Sequence, residues 1–269
     1  MISDSRKNNL SKKNWEIRTF DCVDSTMDTL GTLLQESLKE ASSMSSNRGY
    51  LAVRSNRQLS GRGRQGRQWH SESGNLFVSF SVPEETDKSR YFELSFVTAL
   101  ALFETTKFFA PKAPLLLKWP NDLLLDHKKL AGILIEDFSC QGHDFLLIGV
   151  GVNLATAPVL KGAYDCTSLD MFLDVPVTPH LFMHHFLDIF ATFYEVRHQK
   201  GFSSIRQMWM ERTYLPGTLL TVTTNSGSIT APFLDLDAQG RLLLGKSFKA
   251  AHIFSSGDVS IFIDASKRG

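Results

Sequence analysis

Residues 58 to 69 read Gln58-Leu59-Ser60-Gly61-Arg62-Gly63-Arg64-Gln65-Gly66-Arg67-Gln68-Trp69. Glycines at 61, 63 and 66 remove Cβ atoms and let backbone N–H groups converge on an anion. Arg62, Arg64 and Arg67 add planar, permanently charged forks suited to phosphate or carboxylate, and Trp69 adds an aromatic face for ligand or core. The composition also fits an RGG-like nucleic-acid segment, but its place between two expected strands and a net charge of only +1 count against that. Gly61-x-Gly63-x-x-Gly66 matches a dinucleotide fingerprint only as a bare string, because it does not open a helix, and the P-loop spacing is absent.

A second group is Lys118-Trp119-Pro120-Asn121-Asp122, followed by Lys129-Leu130-Ala131-Gly132-Ile133-Leu134. A strand cannot continue its ladder through Pro120, so Asn121 and Asp122 are expected at a turn. A returning strand from Lys129 would then bring Lys118, Asp122 and Lys129 to one end of a hairpin. Two ammoniums and a carboxylate suit phosphates with a divalent metal; they suit a solvated surface turn as well. Lys128 has no motif partner and is expected to face solvent. In Gly149-Val150-Gly151-Val152-Asn153, the glycines signal close approach by a ligand or neighbouring strand. Asn153 fits a ligand contact or a strand-end turn equally well.

The elements that must hold these groups follow from periodicity. Strands are expected at 15–22, 50–55, 75–82, 115–119, 129–137 and 144–153, with an early helix at 27–39 after the capping Asp24-Ser25-Thr26. Further helices are expected at 90–110, 180–198 and 203–212, the first with a Phe stripe read as core. After Pro216-Gly217 the pattern shifts to short strands at 218–224, 228–235, 241–245 and 259–264 with glycine turns, as in a small β-barrel. The expected organisation is a flexible start at 1–14, a catalytic domain at 15–213 and a C-terminal domain at 214–269, with 42–46 as a Ser-rich loop.

Length (269 residues) and 42% hydrophobic content suit a globular chain with real cores. No secretory h-region or membrane-length apolar run is present, and Cys22, Cys140 and Cys166 are few and scattered. The expectation is a cytoplasmic protein with reduced thiols, no membrane association and no non-specific nucleic-acid binding. His180, His184 and His185 have metal-ligand spacing but no accompanying Glu or Cys pattern, so they are set aside and no metal ligand is assigned. Asp235 and Asp237 read as a turn.

Taken in order, these segments resemble the biotin–protein ligase family. The resemblance rests on Gly61 to Trp69, intact Lys118 to Asp122, Lys129 to Leu134, Gly149 to Leu154, and an early Asp24-Ser25-Thr26 with Met27 in place of the usual Asn. Thr167-Ser168-Leu169 and Ser255 to Val259 fit less specifically. It implies an α+β fold, a mixed β-sheet flanked by helices with a small C-terminal SH3-like barrel. It also implies a reaction: biotin and Mg-ATP give biotinyl-5′-adenylate, and a lysine of a biotin carboxyl carrier protein then takes the biotin. Magnesium would enter with ATP.

By the same resemblance, Ser25, Thr26, Gln58, Gly61, Arg62, Arg64, Lys129 and Gly132 would meet biotin. Arg64, Arg67, Trp69, Asn121, Lys129 and Asn153 would meet ATP or adenylate. Catalysis would fall to Arg64, Lys129, Asp122 and Lys118, the last two serving phosphates, metal or the incoming lysine. The arginine-rich loop is expected to be disordered when empty and to close over ligand. Lipoate ligases favour a signature ending in His-Asp that is missing here. The Asp24 element starts too early for a preceding helix-turn-helix, so no DNA binding is expected. A homodimer is left open.

Overall fold

A computed structural model describes residues 15–40, 50–83, 88–159 and 165–261. The expectations for 1–14, for 42–46 and for the end of the last strand lie outside the described residues. The chain runs β1 (Glu16–Val23), α1 (Thr26–Glu40), β2 (Leu51–Gln58), β3 (Leu76–Pro83), α2 (Glu93–Phe109), β4 (Leu115–Lys118), β5 (Asp122–Leu125), β6 (Lys128–Cys140) and β7 (His143–Val152). There follow α3 (Pro179–Lys200), α4 (Phe202–Met210), β8 (Leu219–Thr224), β9 (Gly227–Leu236), β10 (Leu242–Leu244), β11 (His252–Phe254) and β12 (Asp258–Ile261).

The first seven strands form one sheet in the order β1-β2-β3-β7-β6-β5-β4. It is mixed: β1 and β2 are parallel, joined by the α1 crossover, and every other neighbouring pair is antiparallel. Alternation along β7 sends Leu146, Ile148, Val150 and Val152 into the main core, and Phe145 and Leu147 into a smaller one under α1. α2 and α3 cover the main face. Phe80 of β3 meets Phe186 and Phe190 with ring centroids 5.8 and 4.8 Å apart. The Phe stripe of α2 is core as expected at Phe96, but Phe108 at the helix end is exposed and stacks on His185 instead.

The other five strands make an antiparallel sheet in the order β11-β10-β9-β8-β12, which fits the SH3-like expectation. Its Leu220, Val222, Phe233 and Leu242 join the main core. Trp119 donates from Nε1 to the Gly240 carbonyl at 2.9 Å, tying the Trp-Pro turn to the C-terminal sheet. Gly240 lies close against α2: a Cβ there would come within 2.7 Å of Phe96.

Two expected features differ. The single hairpin anticipated between Lys118 and Lys129 is a pair of hairpins with β5 in the middle, and β11 was not foreseen. The second of those hairpins turns at Asp126 and His127, both at positive φ (50° and 61°). No helix among the described residues is long and apolar enough to cross a membrane.

Candidate active site

The α1 face of the sheet loses its side chains toward one end. Along β7 it presents Phe145, Leu147, Gly149 and Gly151, and Gly151 pairs with Gly132 of β6. Bulk gives way to bare backbone, and a cavity of about 190 Å³ opens there. The glycines admit side chains rather than a neighbouring strand. A Cβ on Gly151 would fall 2.4 Å from Trp69 Cε2, one on Gly132 2.9 Å from Trp69 Cζ3, and one on Gly149 3.1 Å from Met27 Sδ. Trp69 therefore lies across the glycine rung, and buried Met27 forms part of the wall.

A bulge between Leu123 and Leu124 in the β5–β6 pairing brings Lys129 onto the same face as Gly132, three residues on. Its backbone is held on the far side too: Lys129 N–H donates to Asp165 O, and Thr167 N–H donates to Lys129 O. Lys129 Nζ lies 2.7 Å from Asp122 Oδ1 and 5.5 Å from the Trp69 ring centroid. Lys118 Nζ lies 2.9 Å from Asp122 Oδ2. Burial alone would push the Asp122 carboxyl up, but the Lys129 and Lys118 ammoniums outweigh it and hold the group below the usual carboxylate range. Lys118 and Asp122 are buried, whereas the Lys129 side chain keeps 23% exposure and opens into the cavity. Neighbouring Lys128 is exposed, as expected.

The glycine-arginine segment is a tight hairpin. Gly63 N–H donates to Arg67 O, Trp69 N–H to Gly61 O and Arg67 N–H to Arg64 O, with Gln65 and Gly66 at positive φ in the turn. These amides bond within the hairpin, so the expected anion nest is not formed by them. Gly61 is needed for closure, since a Cβ there would sit 2.7 Å from Trp69 O. The arginines diverge. Arg64 Nη1 donates to Asn121 Oδ1 at 3.1 Å, and burial pulls its pKa down while Asp122 and Asp258 oppose that. Arg62 is paired with Asp28 (2.6 Å) and Glu136 (3.1 Å), so its charge is already offset where a free cation was expected. Arg67 reaches Asp258 of β12 at 2.6 Å.

At the opposite wall, Ser25 Oγ accepts from Met27 N–H at 3.2 Å near the start of α1. Gln58 Oε1 accepts from Thr26 N–H and Thr26 Oγ1 at 2.9 and 3.0 Å, while its Nε2 donates to Ser71 Oγ. Thr26 Oγ1 is 2.7 Å from Ser79 Oγ. Asn121 is occupied at both ends, its Nδ2 donating to Ile133 O. Asn153 donates to Thr167 O, but its Oδ1 is buried without a partner, as is Trp69 Nε1. Both are buried polar atoms at a cavity wall with hydrogen-bonding capacity left unused by the protein.

Every anticipated site residue except Lys118 and Gly61 lines this cavity; Lys118 stands behind Asp122, and Gly61 sits at the base of its hairpin. Sequence reasoning missed Met27 as wall, Ser71, Ser79, Cys166 and Asp258. Met27 and Asp258 had a signal, the one directly after Asp24-Ser25-Thr26 and the other within the Ser255 to Val259 string. Burial raises the pKa of the Cys166 thiol, which keeps it neutral. His180 and His184 pack edge to face on α3 and do not line the cavity. No group of three or more metal-ligating side chains occurs among the described residues. Both Asp122 oxygens face ammoniums, so the donor set does not form a cage for a divalent ion.

The biotin/lipoate A/B protein ligase family model matches residues 19–153, the stretch that builds this cavity up to Asn153. The chain belongs to that family. It is 34% identical over 233 residues to a biotin--[acetyl-CoA-carboxylase] ligase of Paracoccus denitrificans, covering 82% of this chain and 96% of that one. It is 28% identical to the bifunctional ligase/repressor BirA of Bacillus subtilis, over 82% of this chain and 69% of the relative. Among solved structures, a biotin protein ligase from Aquifex aeolicus in complex with biotin and ATP superposes with a TM-score of 0.72 at 24% identity. That match covers 93% of this chain and 99% of the other. The family's catalytic sheet and the small C-terminal sheet are thus both matched in fold.

Proposed function

We propose that the protein activates biotin with ATP and transfers it to a lysine of a biotin carboxyl carrier protein. The observation that carries this reading is Lys129, whose ammonium enters the cavity against Asp122 and beside Trp69. Two anions must meet in the first step, so fixed positive charge is required where they touch. A biotin carboxylate oxygen bonds to the α-phosphorus as the bond to pyrophosphate breaks. Lys129 and Arg64 offset the charge gathered on phosphorus, with Lys118 behind them.

Asp122 holds both ammoniums in place without neutralising the site, because it stands between two cations. Magnesium enters as part of the substrate, bound to ATP phosphates, in keeping with a donor set that does not itself form a cage. Thr26, Gln58 and Ser79 offer the polar wall for the ureido ring of biotin, with Ser25 placing the start of α1. Gly132 keeps the floor low for its chain. Trp69 and Asn153 offer an aromatic face, a donor and an acceptor to the adenylate.

In the second step the acceptor amine bonds to the acyl carbon, the bond to AMP breaks, and one proton leaves the nitrogen. Asp122, held as a carboxylate by two ammoniums, is too weak a base to take that proton, which passes to solvent or to the departing phosphate. The test is a labelling assay with Mg-ATP, a carrier domain, and either biotin or lipoate. Biotin-dependent labelling supports the reading, and lipoate-only labelling contradicts it. In the same assay Arg64→Gly, which removes the guanidinium beside Asn121, is expected to release adenylate and mark bystander lysines. Unchanged selectivity would remove Arg64 from adenylate retention.

A further inference from the structure

The C-terminal sheet reaches the cavity at one side chain. Asp258 opens β12, and the residue before it, Gly257, has φ +152° and is pressed on β8: a Cβ there would come within 2.7 Å of Val222 Cγ1. Asp258 is then fixed in register opposite Thr223. Across the gap, Arg67 stands in the glycine-arginine hairpin and bonds only within it along its backbone. Its carbonyl takes the Gly63 N–H at 2.7 Å and its own N–H goes to Arg64 O. The C-terminal sheet and the hairpin are joined through Arg67 Nη2 and Asp258 Oδ1 at 2.6 Å, and both side chains border the cavity. Gln65 Oε1 takes the same guanidinium nitrogen at 3.0 Å.

The exposure of the pair, 45% and 34%, excludes a role in holding the fold together, since ion pairs this accessible contribute little to stability. A weak contact matters only where the balance it tips is itself close to even. The hairpin is such a place: it is built from three glycines and three arginines between 61 and 67, with few backbone bonds closing it. The Asp258 carboxylate also acts on Arg64, so it faces two of the three arginines.

We propose that Asp258 is a positioning residue, which clasps the glycine-arginine hairpin over the cavity through Arg67 and so sets how long an activated intermediate is kept from water. The C-terminal sheet contributes a latch rather than a reacting group. The retention half rests on the ligase reading above; the clasp itself does not.

The experiment is a double-mutant cycle read by amide hydrogen exchange over residues 58–69 in the full chain, without ligands. Asp258→Asn, which keeps the side-chain volume, is expected to speed exchange about three- to five-fold, and Arg67→Gln similarly. The double variant is expected to exchange no faster than either single one, because both remove the same contact. Asp258→Glu, which restores the charge, should return exchange toward wild type.

No change on Asp258→Asn, or an increase that adds in full to that of Arg67→Gln, would overturn the clasp. The second readout is release of biotinyl-adenylate with no acceptor present, which should rise by a similar factor in Asp258→Asn. Faster exchange with unaltered release would overturn the retention role. If the wild-type protein forms no adenylate, the ligase reading fails, and the exchange cycle still decides the clasp.

Discussion

Among the described residues two carboxylates are buried, each bracketed by two cations, and they do different things. Glu93 sits between Arg197 (2.5 Å) and Arg90 (3.0 Å), joining the start of α2 to α3. Asp122 sits between Lys129 (2.7 Å) and Lys118 (2.9 Å). The Arg197 side chain has no exposure and ends among helices, whereas Lys129 keeps 23% and faces a cavity. Arginine's planar fork suits a fixed, bidentate partner; an ammonium on a flexible stem can turn toward an arriving phosphate. The same charge count thus gives a rivet in one place and a cavity-facing group in the other. Burial, geometry and the type of cation decide which.

The comparison can be broken first at its structural end. Arg197→Ala leaves Glu93 buried with half its partners, and is expected to cost about 3–5 kcal/mol in urea unfolding. Activity per folded molecule should hold; a loss of turnover without a loss of stability would erase the distinction.

Next comes Asp122→Asn, expected to destabilise by about 1–3 kcal/mol at pH 7, since two neighbouring ammoniums lose their counter-charge. The Asp122 carboxyl is held below its ordinary 3.8, so its contribution is present above that pH and lost as pH falls through the lowered value. The gap between wild type and variant, followed by unfolding at several pH values, should narrow only below about pH 4. A gap that narrows near neutrality would mean another group is responsible. The smallest effect sharpens the contrast between adjacent lysines: exposed Lys128→Ala should change stability by under about 0.5 kcal/mol and leave labelling intact.

The two regions also differ in how far the sequence reveals them. Lys118, Asp122 and Lys129 stand within twelve residues in a motif, so their meeting was legible, although the path was not. Leu123-Leu124-Leu125 carries no alternation to mark a strand, and Asp126-His127 turns at positive φ without the glycine that advertises such a turn. The bulge that aims Lys129 has no sequence signature. Glu93 and Arg197 lie 104 residues apart in ordinary helical patterns, and nothing local links them.

Glycines 149 and 151 did announce a close approach, but not that Met27 and Trp69 would be the groups approaching. Six of the seven strands of the large sheet and its flanking helices followed from periodicity, while β5 and β11, four and three residues long, fell below what periodicity can show. The ion pairs of Arg62 were not legible, because Asp28 and Glu136 come from two other elements.

The central claim is that Lys129 carries the charge on which activation depends. Its direct measurement is formation of biotinyl-adenylate and pyrophosphate from biotin and Mg-ATP, without acceptor, comparing wild type with Lys129→Ala. The account predicts adenylate in the wild type and a fall of about 10²–10³-fold in the variant, with the fold intact by circular dichroism. Adenylate formation within a few-fold of wild type in Lys129→Ala, or none from the wild type itself, would contradict it.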